Sequence, residues 1–465
     1  MKWASGVFAI AWMMRMRAIK NRERLRETRA DNLEVYKSKI KILKSTWKRI
    51  KNSRRVVVHI PSLGYTEDIR AQMYNFHVEQ NNQIARICSI SDPNVDVIYV
   101  SPITVTDEAK QYYQKLLSLK KAIDSGNMND ITDMNTRITF VVPEVISHFG
   151  VSTTTIPHKK NLCLSSMLRY SPNALQRIQR LIKGRDAYIV PGMVHVDDLE
   201  VARILDIPIL GSEPQVAQLY STKSGAKRIF ENAGVSMPPG DYDIYSSDQM
   251  HETISQLIIN NLDIKRWLFK FNSSVSSNGI AYCDITKHLT CYSHVMKEKA
   301  RYGKEWCHKW AHESSFHQVF SEIPRILRQH ACPLNRILYP NWESFKVAFL
   351  NEGGIIEAYP RAESVTVLQA DMMIEPDGHT QLLCIGDQIS ESSAFKPWGI
   401  SVPQSSIDSD YVNSVCQKVA ASCQSRNIIG HLSLTMVTFI SEETVRSFVS
   451  FLQSIGNHVI IIKER

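Results

Sequence analysis

The 465-residue chain has no CxxC pair among its nine cysteines, which lie scattered at positions 88, 163, 283, 291, 307, 332, 384, 416 and 423. The odd total and irregular spacing exclude a disulfide framework and imply a reduced, cytoplasmic protein. The sequence also has no run of about 20 apolar residues, so a membrane-spanning helix is not expected. Its start, MKWASGVFAIAWMM, resembles the apolar core of a signal peptide. That stretch is too short to span a bilayer, Arg15, Arg17, Lys20 and Arg22 follow it at once, and no small-residue cleavage site precedes them, so a helix is expected instead. Acidic residues are scarce at this end: residues 1–55 hold 17 Lys or Arg against 4 Asp or Glu. The arm thus carries +13 of an overall +9, and the rest of the chain is mildly acidic at −4. With 43% hydrophobic residues there is apolar material for two or three domains of roughly 150 residues each.

Proline and glycine are missing from residues 8–52, where helix formers dominate, so one long exposed helix is expected. Ile40, Leu43, Trp47 and Ile50 recur at spacings of 3, 4 and 3 and share a face, with lysines 39, 41, 44, 48 and 51 around the remainder. This is a basic amphipathic helix of the calmodulin-target type, and its stripe is a candidate partner-binding surface. The same stripe could instead dock on the protein's own body. The cations of residues 15–55 could hold an RNA backbone, although only Tyr36 and Trp47 are interleaved with them, too few for base stacking as a main mode.

From Arg55 the texture changes to near-continuous apolar runs: RVVVHIPS (55–62), VDVIYVSP (95–102), RITFVVPE (137–144), DAYIVPG (186–192) and IPILGSEP (207–214). Strands of this kind are buried on both faces, and helical segments between them imply a mainly parallel sheet. Ligands of such sheets bind at the carboxyl ends of the strands, where Ser62, Ser101, Glu144 and Gly192 fall. No catalytic triad or metal-ligand spacing is legible there.

The second half opens with a lysine, Lys223, an amphipathic helix and the stop AGVSMPP (233–239), in which Gly234 supplies the left-handed residue and Pro238 and Pro239 prevent restart. A strand RWLFKFN (266–272), a serine-rich loop and a strand GIAYCDI (279–285) follow. Residues 286–335 read as less ordered; Cys307, His308, His312 and His317 lie there, but no fourth ligand is spaced to join them, and surface histidines are expected. Strands are expected again at 346–360, 365–376, 380–390 and 431–440, with a helix near 409–425 and hairpin turns at Gly353-Gly354 and Asp377-Gly378.

In order and spacing, GGIIEAYP, LQADMMIEPDGHTQLLCIGDQ and GHLSLTMVTF resemble the core motifs of the ATP-grasp superfamily, and more closely its peptide-ligase-like branch with a preceding α/β domain. The resemblance implies an α/β plus α+β fold: a basic helical arm over 1–55, a parallel-sheet domain over 56–210, and an ATP-grasp-like domain over 211–465 with a lid at about 236–340. It implies ATP as cofactor, with Lys223 and Lys270 on the phosphates, as suits an ammonium point charge, and Gly279 in the lid loop. It places Glu357 at the hinge near adenine or ribose, and Gln369, Asp387 and Gln388 at the branch's VQ and DQ positions, with Asp387 a candidate Mg²⁺ ligand.

Two departures stand against catalysis. The lid loop of active members is rich in glycine, whereas SSVSSN (273–278) leaves only Gly279. The strand HLSLTMVTF should carry a metal-binding acid followed by an aromatic, but has Thr435 and Met436, and a neutral hydroxyl cannot replace a carboxylate for Mg²⁺. The expectation is a non-catalytic or weakly active ATP-grasp-like protein with a regulatory or adaptor role. The likeness further implies a calmodulin link and a place in spermatogenesis. An IQ-type match at Ile178, Gln179, Lys183 and Gly184 ends on Tyr188 where a basic residue belongs, and Gly184 reads as a helix cap. The alternatives are an active ATP-dependent carboxylate-amine (peptide) ligase and an RNA-binding protein using the basic arm.

Overall fold

The glycine- and proline-free stretch 8–52 lies in one helix, α1 (Lys2–Asn52), whose 51 residues span about 75 Å at 1.5 Å per residue. The structure is a computed structural model that describes residues 2–73, 75–126, 136–145, 162–273, 279–308, 310–360, 362, 365–390, 397–441, 444–454 and 461–463. The chain divides into two units, one built on residues 1–214 with 375–379, the other on 215–374 and 380–455. Among the described residues no helix is long and apolar enough to cross a membrane.

In the first unit, β1 (Arg55–Leu63), β2 (Val95–Val100), β3 (Ile138–Val141) and β4 (Asp186–Met193) form a parallel sheet in the order β3-β2-β1-β4. The helices that join and cover these strands include α2 (Asp107–Ser125), α3 (Leu164–Arg169), α4 (Pro172–Ile182) and α5 (Val196–Leu205). β1 is buried along its whole length, which explains its unbroken apolar run. The fifth expected strand, 207–214, is reduced to a single parallel bridge between Ile189 and Ile209. The partial IQ match is a piece of this layer: Ile178 is core, and Gly184 has a φ of 73° just past α4.

The apolar stripe of α1 is not open to a partner. Leu43, Trp47 and Ile50 are buried in the first unit and Ile40 is half-buried. The Trp47 ring meets Tyr188 edge-on at 5.4 Å, and its Nε1 donates to Glu375 Oε2 at 2.8 Å. Arg49 holds Asp186 through two bonds of 2.7 and 2.9 Å, and Lys51 holds Glu375 at 2.6 Å. The physical reason is that burying a tryptophan and two aliphatics on the helix's own domain needs no partner. Toward the other end of α1, Phe8, Trp12 and Met14 and the cations Arg15, Arg17, Lys20, Arg22, Arg24 and Arg26 remain exposed.

The second unit contains α6 (Lys223–Ala233), α7 (Ser247–Asn260), α8 (Tyr292–Tyr302), α9 (Trp310–His330), α10 (Trp342–Glu352) and α11 (Ser409–Gln424). Residues 286–335, expected to be less ordered, are largely helical as α8 and α9, because Val319, Ile323, Ile326 and Leu327 supply a core stripe. β5 (Gly240–Ile244), β6 (Trp267–Phe271), β7 (Ile280–Cys283), β8 (Cys332–Pro333) and β9 (Gly354–Ala358) form an antiparallel sheet in the order β5-β9-β6-β7-β8. The expected strand over 346–352 is the end of α10 instead. Gly353, with a φ of 77°, ends that helix rather than turning a hairpin, and a Cβ there would lie 2.2 Å from the Tyr245 ring.

A second sheet runs β14-β13-β10-β11-β12-β15, from β10 (Val365–Ile374), β11 (Thr380–Ser390), β12 (Pro397–Val402), β13 (Gly430–Ser441), β14 (Thr444–Ser454) and β15 (Ile461–Lys463). β10 and β11 join through the expected Asp377-Gly378 turn. β10 alternates strictly, with Leu368, Ala370, Met372 and Ile374 buried.

Candidate nucleotide site

In β6, Trp267, Phe269 and Phe271 enter the aromatic core against Trp342, Phe345 and Phe349, so the alternate residues Leu268 and Lys270 take the opposite face. β9 pairs antiparallel in the register Leu268 to Glu357 and Lys270 to Ile355, which puts Glu357 on the lysine's face. Lys270 Nζ donates to Glu357 Oε1, and Lys227 Nζ lies 2.7 Å from Glu357 Oε2. Lys223 sits one turn before Lys227 on α6, an i,i+4 spacing that brings both to one side of the helix.

The helix start is pinned to the strand. Thr222 caps α6 by accepting from Gly225 N, Lys223 N donates to Asn272 O at 3.1 Å, and Asn272 Oδ1 accepts from Ser224 N and Oγ at 3.1 and 2.6 Å. Three lysines are thereby held around one buried carboxylate, with Glu352 also close enough to act on Lys223.

The electrostatics follow from burial. Desolvation alone would raise the Glu357 carboxyl, but the charges and hydrogen bonds of Lys227 and Lys270 outweigh it and hold it down at about 2. Lys223 is pulled down to about 7, first by burial and then by the like charge of Lys270, with Glu352 and Glu357 opposing. Glu352 and Glu357 are the two carboxylates that act on Lys223 in this cluster.

The structure thus brings together Lys223, Lys270 and Glu357. Glu357 serves as the counter-ion of two lysines here, a role different from the hinge assignment. Lys227 was missed by sequence reasoning, although the spacing in KSGAK was a legible signal. Gly279 directly precedes Ile280, the cross-strand partner of Lys270; residues 274–278 of the serine-rich loop lie outside the described residues.

The other predicted positions separate. Gln388 Nε2 donates to Gln369 Oε1, Gln369 Nε2 donates to Asp371 Oδ1, and Ser433 Oγ donates to the same oxygen, which makes one polar row across the second sheet. Gln369 lies opposite Thr435 and shares its face. Asp387 lies opposite Leu368, which in turn lies opposite Met436, so Asp387 and Thr435 are on different faces of the sheet. An acid at 435 would not meet Asp387; Met436 holds that place, because side chains alternate along β13. Asp387 Oδ2 accepts from Ser405 N at 2.9 Å, while Oδ1 is buried with no hydrogen-bond partner. One orphaned oxygen beside leucine and methionine does not make the oxygen-rich charged set that Mg²⁺ requires, and the described residues do not fit a Mg²⁺ site here.

At the carboxyl ends of the first unit's sheet, the residues expected to face a ligand are engaged in structure. Ser62 Oγ accepts from Ser165 N at 3.2 Å, Ser101 Oγ is bonded to Asn81 and Ile103, and the Glu144 carboxylate accepts from Asn173 N and Ala174 N. A Cβ on Gly192 would lie 2.2 Å from Ser62 O, so that position serves close packing.

The profile of the family described as "IQCH-like, ATP-grasp" matches residues 214–453, more than half of the chain. IQ motif-containing protein H of Danio rerio is 39% identical over 450 residues, covering 96% of this chain and 42% of that protein. The chain therefore spans less than half the length of this curated relative. Among solved structures, a biotin carboxylase–β-γ-ATP complex from Campylobacter jejuni aligns over 86% of this chain and 65% of its own, with 10% identity and a TM-score of 0.43. D-alanyl-alanine synthetase A from Vibrio cholerae aligns over 86% and 88%, with 10% identity and a TM-score of 0.38.

Proposed function

Because the chain belongs to the IQCH-like ATP-grasp family, we propose that its second unit binds a nucleoside triphosphate through Lys223, Lys227 and Lys270, in a regulatory or adaptor role with ligase turnover absent or very slow. One observation carries this reading: Lys227 and Lys270 pair with the buried carboxylate of Glu357 on the sheet face opposite the aromatic core, and buried Lys223 lies close enough to feel Lys270, Glu352 and Glu357. A triphosphate brings compensating charge, and α6 and β6 hold the ammonium groups in place before it arrives.

Slow turnover is supported by the separation of Asp387 from Thr435. Phosphoryl chemistry needs a cation to offset charge as it redistributes, and that demand is greater in the transition state than in the bound nucleotide. The alternative of an active carboxylate-amine ligase draws support from the orphaned Oδ1 of Asp387, one oxygen a cation would satisfy. A calmodulin link and a place in spermatogenesis are carried by the family likeness alone, since the 40–50 stripe is occupied. The exposed cations of residues 15–29 are what remains for a partner or for RNA.

The test is calorimetric titration of the whole chain with ATP and with ADP, each with and without Mg²⁺, alongside ADP release with a panel of carboxylates and amines. The reading expects binding that persists without Mg²⁺ and no acceptor-dependent ADP release. Robust acceptor-dependent ADP formation would establish the ligase instead.

A further inference from the structure

Beyond the carboxyl end of β4, a cluster of chemically active side chains lies outside the nucleotide site. Cys163 Sγ, a ring nitrogen of His195 and a carboxylate oxygen of Asp197 all lie within 4.8 Å of one another. It is the one such group of three among the described residues. We propose that Cys163, His195 and Asp197 form a zinc(II) site with three protein ligands and a fourth position open to water or a small ligand.

The geometry is close to what zinc needs. Tetrahedral zinc, with bonds of about 2.3 Å to sulfur and about 2.0–2.1 Å to nitrogen or oxygen, sets its ligand atoms roughly 3.3–3.8 Å apart. His195 Nδ1 and Asp197 Oδ2 are 3.6 Å apart. Ser166 Oγ lies 2.9 Å from Cys163 Sγ and donates to Asp197 Oδ2, so the sulfur and this carboxylate oxygen already converge on one point. Binding would displace that hydroxyl from the oxygen. It would also replace the long 3.3 Å bond by which His195 Nδ1 accepts from Asp197 N.

The frame around the three residues is rigid. Cys163 and His195 occupy the positions immediately before α3 and α5, two helices that pack together. Asp198 ties them, accepting from His195 N at 2.7 Å and from Ser165 Oγ. Arg169 holds the other Asp197 oxygen at 3.3 Å and Glu200 at 3.0 Å, which leaves Oδ2 to Ser166 and His195.

The donor set selects the metal. A thiolate with an imidazole suits zinc and disfavours Mg²⁺ or Ca²⁺, which require oxygen ligands. A nucleophilic cysteine is the competing chemistry, but Cys163 is only 1% exposed while the Asp197 and His195 side chains are 16% and 32% exposed. An ion can arrive from the His-Asp side, whereas a substrate carbon cannot reach the buried sulfur.

The experiment uses the full chain stripped of metal, titrated with Co²⁺ and with Zn²⁺ against a chromophoric chelator. One equivalent of Co²⁺ should give a thiolate-to-cobalt charge-transfer band in the near ultraviolet with tetrahedral d–d absorption, and Zn²⁺ should abolish both. Cys163→Ser should remove the charge-transfer band and weaken zinc at least about tenfold, and His195→Gln and Asp197→Asn should each weaken it, while Cys88→Ser changes nothing. Absence of the charge-transfer band in the unmutated chain, which needs no variant to fold, overturns the proposal. So does a band of equal strength in a folded Cys163→Ser variant. Neither outcome bears on nucleotide binding by the second unit.

Discussion

Replacing Glu357 with glutamine removes the one carboxylate that faces Lys227 and Lys270 at the candidate site. Both cations stay where they are, with side-chain exposures of 6% and 14%, beside Lys223. Breaking a buried pair by deleting one partner costs about 3–5 kcal/mol, because the remaining charge is left uncompensated. Proton linkage gives a second route to the magnitude. The Glu357 carboxyl falls from 4.5 in the unfolded chain to about 2 in the folded one, a difference worth roughly 3 kcal/mol. Since the folded value is depressed, this stabilisation is full above the unfolded value and is lost as pH falls from about 5 through about 2. The assay is urea unfolding followed by tryptophan fluorescence, with Trp267 and Trp342 in the core behind the site as reporters. At pH 7, Glu357→Gln should lower stability by about 3–5 kcal/mol, and saturating ATP should recover part of that loss by binding the native state. The variant should also lack the acid-side loss between about pH 5 and 2. A change below about 1 kcal/mol at pH 7 would refute the picture of a buried carboxylate holding two lysines.

Three further outcomes follow from particular contacts. Nucleotide binding between about pH 7 and 8 should take up protons, because Lys223 sits near 7 without the ligand and phosphate charge raises it; calorimetry in buffers of different ionisation enthalpy reads the uptake, and its absence removes Lys223 from the phosphate site. Trp47→Ala should destabilise the first unit by about 3–5 kcal/mol, and Ca²⁺-calmodulin added to the intact chain should leave Trp47 emission unshifted; a stoichiometric blue shift would show that the stripe can be released. Thr435→Asp should not restore acceptor-dependent ADP release, since the new acid would face away from Asp387, and a gain of turnover would contradict the strand register.

The parallel sheet was legible because β1, β2 and β4 are buried on both faces and read as unbroken apolar runs, and α1 because nothing in it interrupts a helix. The Lys223–Lys270–Glu357 grouping came from motif order, while Lys227 was passed over because a lysine on a helix reads as surface until its side chain is seen buried. The 346–352 end of α10 reads as the start of the 346–360 strand, since KVAFL is apolar and too short for period alone to separate helix from strand, while the 354–358 part is β9. The facing of Asp387 and Thr435 could not be read, because a shift of one residue in pairing exchanges the two faces of a strand. The stripe at Leu43, Trp47 and Ile50 was correctly seen as one apolar face; what covers such a face is a tertiary fact that periodicity does not contain.

Affinity for ATP in the absence of Mg²⁺, measured by calorimetry on the unmutated chain and on Lys227→Ala and Lys270→Ala, tests the central claim most directly. Loss of one charge-assisted contact of about 1.5–3 kcal/mol should weaken binding by roughly ten- to a hundredfold in each variant. Equal affinity in all three chains, or no binding by the unmutated one, would contradict the assignment of this lysine cluster to nucleotide phosphate.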